Sequence, residues 1–199
     1  MDGLFPAKAG RPESRFPAPS PASRILDGML VRSVYVHVPF CRHRCGYCDF
    51  ALVAGRDDLI DRYFAALERE LARIPAASAA PCASTGGGDS VRLEPASLYV
   101  GGGTPSHLGP DGLRRLFDLL RGRLAIAAGA EISVEANPLD VTDAFVAATR
   151  ECGVTRVSLG GQSLDAATLR ALDRDHGPDD VRAAVGRLLA AGPAEILDL

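Results

Sequence analysis

Three cysteines fall within eight positions of the stretch VHVPFCRHRCGYCDF, at Cys41, Cys45 and Cys48. Spacings of three and two intervening residues let one short loop wrap a single centre, and three thiolates suit three irons of a cubane cluster. The fourth iron of such a cluster stays open to a ligand from outside. A structural zinc would instead need a closed tetrahedron, with His43, His37 or the distant Cys82 as its fourth ligand. Five cysteines, an odd number in a chain without an export signal, fit a metal or redox site better than a disulfide framework. Cys152 reads as a small buried hydrophobe near a helix end, and Cys82 as a linker residue.

Other residues able to do chemistry lie further along. Gly101 to Gly103 in GGGTP form a turn without side chains, where backbone N–H groups can closely approach a carboxylate or an amine. A second triple glycine, Gly86 to Gly88, shows how little such a run says by itself. Glu135 and Asn137 close an apolar run; Glu135 is either a solvated rim acid or a ligand contact. Gln162 follows two glycines, Arg174 reads equally as a helix-surface cation, and Asp198 as a strand-end cap.

The elements that must position these groups are legible from periodicity. Ser33 to Val38 alternates β-branched and aromatic residues as a strand does. Asp57 to Ile74 places Ile60, Phe64, Leu67, Leu71 and Ile74 at helical steps, with Pro75 as the stop. After a low-complexity linker over 76–94, strands are expected at Ser97 to Val100, Ile132 to Glu135 and Arg156 to Leu159. Helices are expected at Gly109 to Arg121, Val141 to Glu151, through Leu172, and at Asp179 to Ala191, the last framed by Pro178 and Gly192. A fifth apolar run spans Ala194 to Leu199. Strand-helix alternation predicts an α/β architecture, parallel strands with helices outside, as an open sheet or a barrel. In both, ligand chemistry gathers after the C-terminal strand ends. The cysteine run, GGGTP, Glu135 with Asn137, Gln162 and Asp198 all fall there.

Length and composition bound the rest. The 199 residues suffice for one substantial domain, so nothing calls for disulfide staples. Residues 1–30 carry five of the fourteen prolines and read as a disordered leader before a core over 31–199. A net charge of -3 argues against a broad nucleic-acid surface. No apolar run is long enough for a transmembrane helix, and the expected address is the cytoplasm. A chain ending inside a core strand suggests the first four or five units of a barrel that continues in a longer protein.

The stretch YVHVPFCRHRCGYCDF resembles the signature of radical S-adenosylmethionine (SAM) proteins. More narrowly it is similar to the oxygen-independent coproporphyrinogen III oxidase-like group and, within it, the heme chaperone HemW type. LYVGGGTPSHL, ISVEANP, VTRVSLGGQSLDAATLRALDRDH and ILDL extend the likeness from Val34 to Leu199. The resemblance implies a partial TIM-like barrel of the radical SAM type, and a [4Fe-4S] cluster on Cys41, Cys45 and Cys48 with SAM on the unique iron. It implies SAM contacts at Tyr35, Gly102, Gly103, Thr104 and Glu135, and a second SAM or substrate position around Gln162, Arg174 and Asp198. Tyr47, between two ligands, would shield the cluster from water. The implied partners are heme or porphyrin, a heme-acceptor protein and a flavodoxin or ferredoxin type electron donor. The implied chemistry is one-electron cleavage of SAM.

Two departures matter. Oxidases of the group carry a further cysteine two positions after the third ligand, where this chain has Phe50, which favours the chaperone branch. The usual GVQ reads GGQ here, and Gly161 predicts a local loosening at the end of the fourth strand.

Overall fold

The computed structural model describes residues 31–74, 93–191 and 195–197. The leader, most of the linker with Cys82, and Asp198 lie outside the described residues. Strands β1 (Val31–Val38), β4 (Leu93–Gly102), β5 (Glu131–Ala136), β6 (Arg156–Leu159) and β7 (Glu195–Leu197) form one parallel sheet in the order β1-β4-β5-β6-β7. Between β1 and β4 a second, two-stranded parallel pair joins β2 (Phe40–Cys41) to β3 (Val53–Ala54). Helices α1 (Ile60–Leu71), α2 (Gly109–Arg121), α3 (Asp143–Glu151), α4 (Ala166–Ala171) and α5 (Pro178–Ala191) connect them. Strand order follows chain order among the five sheet strands, as in the opening units of a (β/α) barrel.

Alternation along the strands separates two faces. Val36 and Val38, Leu98 and Val100, Ile132 and Val134, and Val157 and Leu159 join one buried cluster with Leu113, Leu116, Phe117, Leu120 and Phe145 of the helices. The opposite face is polar. Ser97 donates to Ser33 at 2.9 Å, Ser133 to Glu131 at 2.9 Å, Tyr99 to Glu135 at 2.8 Å and Arg156 to Glu131 at 3.3 Å. Most barrel interiors are filled with branched aliphatic side chains; this face carries hydroxyls and charges.

The elements match the periodicity, with shifts at their ends. α2 and β6 have the expected bounds. β4 starts at Leu93, so Leu93 and Glu94 belong to the strand rather than the linker. Pro95 lies before pairing with β5 begins, at Ser97 opposite Glu131, so its missing N–H costs that ladder no bond. α1 is preceded by a 3-10 turn at Asp57–Leu59 and ends at Leu71, short of Pro75. α3 begins at Asp143 because Thr142 caps it, accepting the Phe145 amide at 3.2 Å; a 3-10 turn at Pro138–Asp140 occupies the positions before. Cys152 is 2% exposed at the end of α3, as expected.

The predicted loosening at Gly161 is not found. Gly160 donates to the Ala136 carbonyl at 2.8 Å, Gly161 donates to Leu159 at 2.8 Å, and the Gly161 carbonyl accepts from His176 Nε2 at 2.9 Å. These bonds pin the segment without a β-branched side chain.

Candidate functional site

A cleft of about 380 Å³ opens at the C-terminal ends of β4, β5 and β6. Cys41, Cys45 and Cys48, all free thiols, line it together. Their loop is closed at its base by the β2–β3 pair, where Val53 donates to the Pro39 carbonyl at 2.7 Å and Gly55 to Cys41 at 3.0 Å. Within the loop, Arg44 donates to the carbonyls of Cys48 at 2.9 Å and Phe50 at 3.4 Å, and the Cys48 amide donates to Cys45 at 3.0 Å. Arg42 reaches across to Asp140 at 3.1 Å, while His43 Nε2 donates to the Asp173 carbonyl at 3.0 Å. The three residues between the first two cysteines thus secure the loop in three directions. Tyr47 and Phe50 form its rim, 48% and 67% exposed.

Facing the loop is the glycine turn at the end of β4. Gly103 donates to the Val38 carbonyl at 2.8 Å and Thr104 to Phe40 at 2.7 Å, which draws the turn against the first strand. The approach is too close for side chains: a Cβ on Gly103 would sit 2.7 Å from the Phe40 carbonyl oxygen and 2.9 Å from the Pro39 carbonyl carbon. Gly102 has φ +124°, and its amide donates to Glu135 Oε2 at 3.0 Å. Glu135 is held at both oxygens, since Tyr99 donates to Oε1 at 2.8 Å. Gly102, Gly103, Thr104 and Glu135 all line the cleft with the cysteines. Tyr35 does not. It is 57% exposed, stacks on Tyr99 with ring centroids 6.0 Å apart, and bonds His37 Nδ1 at 3.2 Å.

The far wall comes from the segments after β6 and α4. Gln162 lines it with φ +66°, and Asp173 takes φ +56°, both left-handed conformations that a side chain rarely adopts. Arg174, after α4, bridges the end of β6 and the cysteine loop, donating to the Cys45 sulfur at 3.2 Å and to the Gly160 carbonyl at 2.7 Å. It is therefore no surface cation. Asp175 accepts from Asn137 at 3.1 Å. Burial pushes its carboxyl up, but the Asn137 hydrogen bond and the nearby His43 and Arg174 outweigh that and hold it below the usual value.

Electrostatics and donor chemistry test what the cysteines can hold. Burial raises the Cys41 thiol; a hydrogen bond with Thr104 at 3.0 Å opposes this. Among the described residues no three His, Cys, Asp or Glu side chains converge on a single ion. A closed zinc site needs four ligands, and a cubane cluster takes its thiolates on separate irons. His43 lies 3.7 Å from the Cys45 sulfur but is committed to Asp173, and His37 donates to the Ala51 carbonyl at 2.7 Å. Arg174 adds a cation whose buried Nε has no partner. Three spaced thiols beside a partly unsatisfied cation fit a multi-iron, anionic group.

Sequence reasoning missed Tyr99, Ser106, Asp140 and Asp175. Ser106 donates to Asp140 at 2.7 Å and accepts the Asn137 amide at 3.0 Å, joining the glycine turn to the end of β5. Tyr99 was recoverable, because it shares strand parity with Gly101 and must face the same side. For the other three no local pattern distinguishes them from surface polar residues.

Comparison with known proteins gives the family. The model of the radical SAM superfamily matches residues 35–197. A heme chaperone HemW of Mycobacterium tuberculosis (strain ATCC 25618 / H37Rv) is 42% identical over 172 residues, covering 83% of this chain and 40% of the relative. An oxygen-independent coproporphyrinogen III oxidase of Bradyrhizobium diazoefficiens is 37% identical over 165 residues, 82% of this chain and 34% of the relative. Among solved structures, coproporphyrinogen III oxidase (HemN) from Escherichia coli, a radical SAM enzyme, superposes with a TM-score of 0.68 at 27% identity. It covers 84% of this chain and 36% of that one. The chain thus spans well under half the length of these relatives.

Proposed function

The chain belongs to the radical SAM superfamily, and we propose that it carries the cluster-binding and SAM-binding part of a heme chaperone of the HemW type, passing heme to an acceptor protein. The observation that carries this reading is the single cleft shared by Cys41, Cys45, Cys48, the turn Gly102 to Thr104 and Glu135. The chaperone branch is favoured over the oxidase by Phe50, which occupies the rim of that cleft with an inert ring.

Roles follow from placement. Cys41, Cys45 and Cys48 would hold three irons of a [4Fe-4S] cluster, which when bound supplies the electron for cleavage of SAM. Glu135, fixed at both oxygens, offers an oriented negative charge for the amino group of SAM. Glycine at 102 and 103 lets the turn that lines the cleft lie against His37 to Phe40, where any side chain would collide. Thr104 is joined to Cys41 and so ties the turn to the cluster loop. Tyr47 limits water at the loop's rim, and Gln162 lines the wall opposite. Tyr35, stacked on Tyr99, acts by steadying the Tyr99–Glu135 bond or by reaching SAM from beyond the cleft. Asp198 remains a candidate for the second SAM or substrate position on resemblance alone.

Anaerobic reconstitution with iron and sulfide tests the reading. We expect about four irons per chain, SAM binding to the loaded chain, and a spectral change when heme is added. Stoichiometric zinc in place of iron would defeat the cluster assignment. Conversion of coproporphyrinogen to protoporphyrinogen by the reduced protein would favour the oxidase. The expected reductant is a flavodoxin or ferredoxin type donor. Among the described residues no helix is long and apolar enough to cross a membrane.

A further inference from the structure

Arg174 is held more firmly than a ligand contact requires. Its Nη2 donates to the Gly160 carbonyl at 2.7 Å and lies 3.5 Å from His176 Nδ1. His176, 5% exposed, is itself locked by donating Nε2 to the Gly161 carbonyl at 2.9 Å, which leaves Nδ1 as the acceptor. The backbone is fixed as well: Asp173 takes φ +56°, and the Arg174 amide donates to Leu169 at 3.0 Å. With the guanidinium plane set from one side, Nη1 reaches the Cys45 sulfur at 3.2 Å and the Tyr47 hydroxyl at 3.4 Å. Nε is buried without a partner. A guanidinium stays charged at any working pH, so this is a permanent cation donating to one named cysteine across the cleft.

We infer that Arg174 is a positioning residue for the cysteine loop, and that its donation to Cys45 raises the reduction potential of the cluster. The inference rests on the reading of the three cysteines as cluster ligands. Reduction adds negative charge to a cluster, and hydrogen bonds to its sulfurs together with nearby positive charge stabilise the reduced form. Arg174 supplies both at one atom pair. It also links the end of β6 to the cysteine loop, so the sulfur it contacts is fixed relative to the wall that carries Gln162. A role confined to SAM would predict no effect on a SAM-free cluster.

The test compares wild type, Arg174→Gln and Arg174→Lys after anaerobic reconstitution, by iron content and by redox titration followed by electron paramagnetic resonance, first without SAM. All three proteins should load iron. The potential of Arg174→Gln should be more negative than wild type, and that of Arg174→Lys should fall between, since lysine keeps the charge but cannot span Gly160 and Cys45 as a fork. An unchanged SAM-free potential in Arg174→Gln overturns the inference. A shift that emerges only with SAM also overturns it and assigns Arg174 to SAM. If Arg174→Gln does not fold by circular dichroism, Arg174→Lys decides, and a potential equal to wild type overturns the claim. A wild type that binds no iron defeats the cluster reading itself, a failure recognised before any variant is compared.

Discussion

The hydroxyl of Tyr99 lies 2.8 Å from Oε1 of Glu135 and fixes the plane of that carboxylate. Burial, reinforced by the hydrogen bond and charge of Glu135, pushes the Tyr99 phenol up to about 12. The folded value exceeds the unfolded value of about 10, so the stabilisation from this proton is complete below the unfolded value and is lost as pH rises through the folded one. The bond therefore persists throughout the physiological range.

Tyr99→Phe should consequently remove one of the two restraints on Glu135, leaving the Gly102 amide in place, without opening a cavity. A hydrogen bond to a charged group contributes about 1.5 kcal/mol to stability, so the variant should lose about that much in chemical denaturation, and SAM affinity of the reconstituted protein should fall in equilibrium binding. Tyrosinate absorbance gives an independent reading. Burial pushes the Tyr63 phenol up to about 12 as well, so of two phenols expected to titrate in that range the variant should retain one.

Substitutions at glycine should split by what a methyl group meets. Gly103→Ala drives Cβ to 2.7 Å from the Phe40 carbonyl oxygen, and overpacking against backbone should cost about 1–3 kcal/mol. Gly186→Ala, within α5 and in open space, should stabilise by about 0.5–1 kcal/mol. Chemical denaturation of the two variants should move their midpoints in opposite directions.

Serine at Cys41, Cys45 or Cys48 should each remove most of the bound iron. Cys152→Ala should keep the full complement, because Cys152 is buried at the end of α3 and lies outside the cleft. Iron analysis after identical reconstitution distinguishes the two groups.

Asp175 provides the pH prediction. Its carboxyl is held below the usual value in the folded state, so its contribution is present above the unfolded value of about 3.9 and fades as pH falls through the lower folded value. Asp175→Asn should be less stable than wild type at pH near 7, and the gap should close in strong acid. Urea midpoints at the two ends of that range measure it.

Much of this molecule is legible in its sequence, and the boundary follows a physical line. Periodicity marks α2 to the residue because it has one buried face and a clean stop, and β6 is bounded by the two glycines that follow Leu159. The bounds of α3 shift because a side-chain cap at Thr142 and a turn nucleated by Asn137 compete with apolar spacing. The cysteines and glycines announce themselves by residue type. Arg174 and Asp175 gain their meaning from contacts across 129 and 38 residues of chain, to Cys45 and Asn137, and no local pattern encodes such distances. The GGQ segment shows the reverse error: a missing side chain suggests slack where backbone bonds and His176 supply the restraint.

The division of each strand into an aliphatic and a polar face has a consequence for how the molecule can change. Stability resides on residues such as Val100, Val134 and Val157, while their immediate neighbours Tyr99, Glu135 and Ser158 line the cleft. Binding and folding are therefore interleaved one residue apart yet mechanically insulated by the sheet itself. A one-residue slip in any strand would exchange the two roles at a stroke.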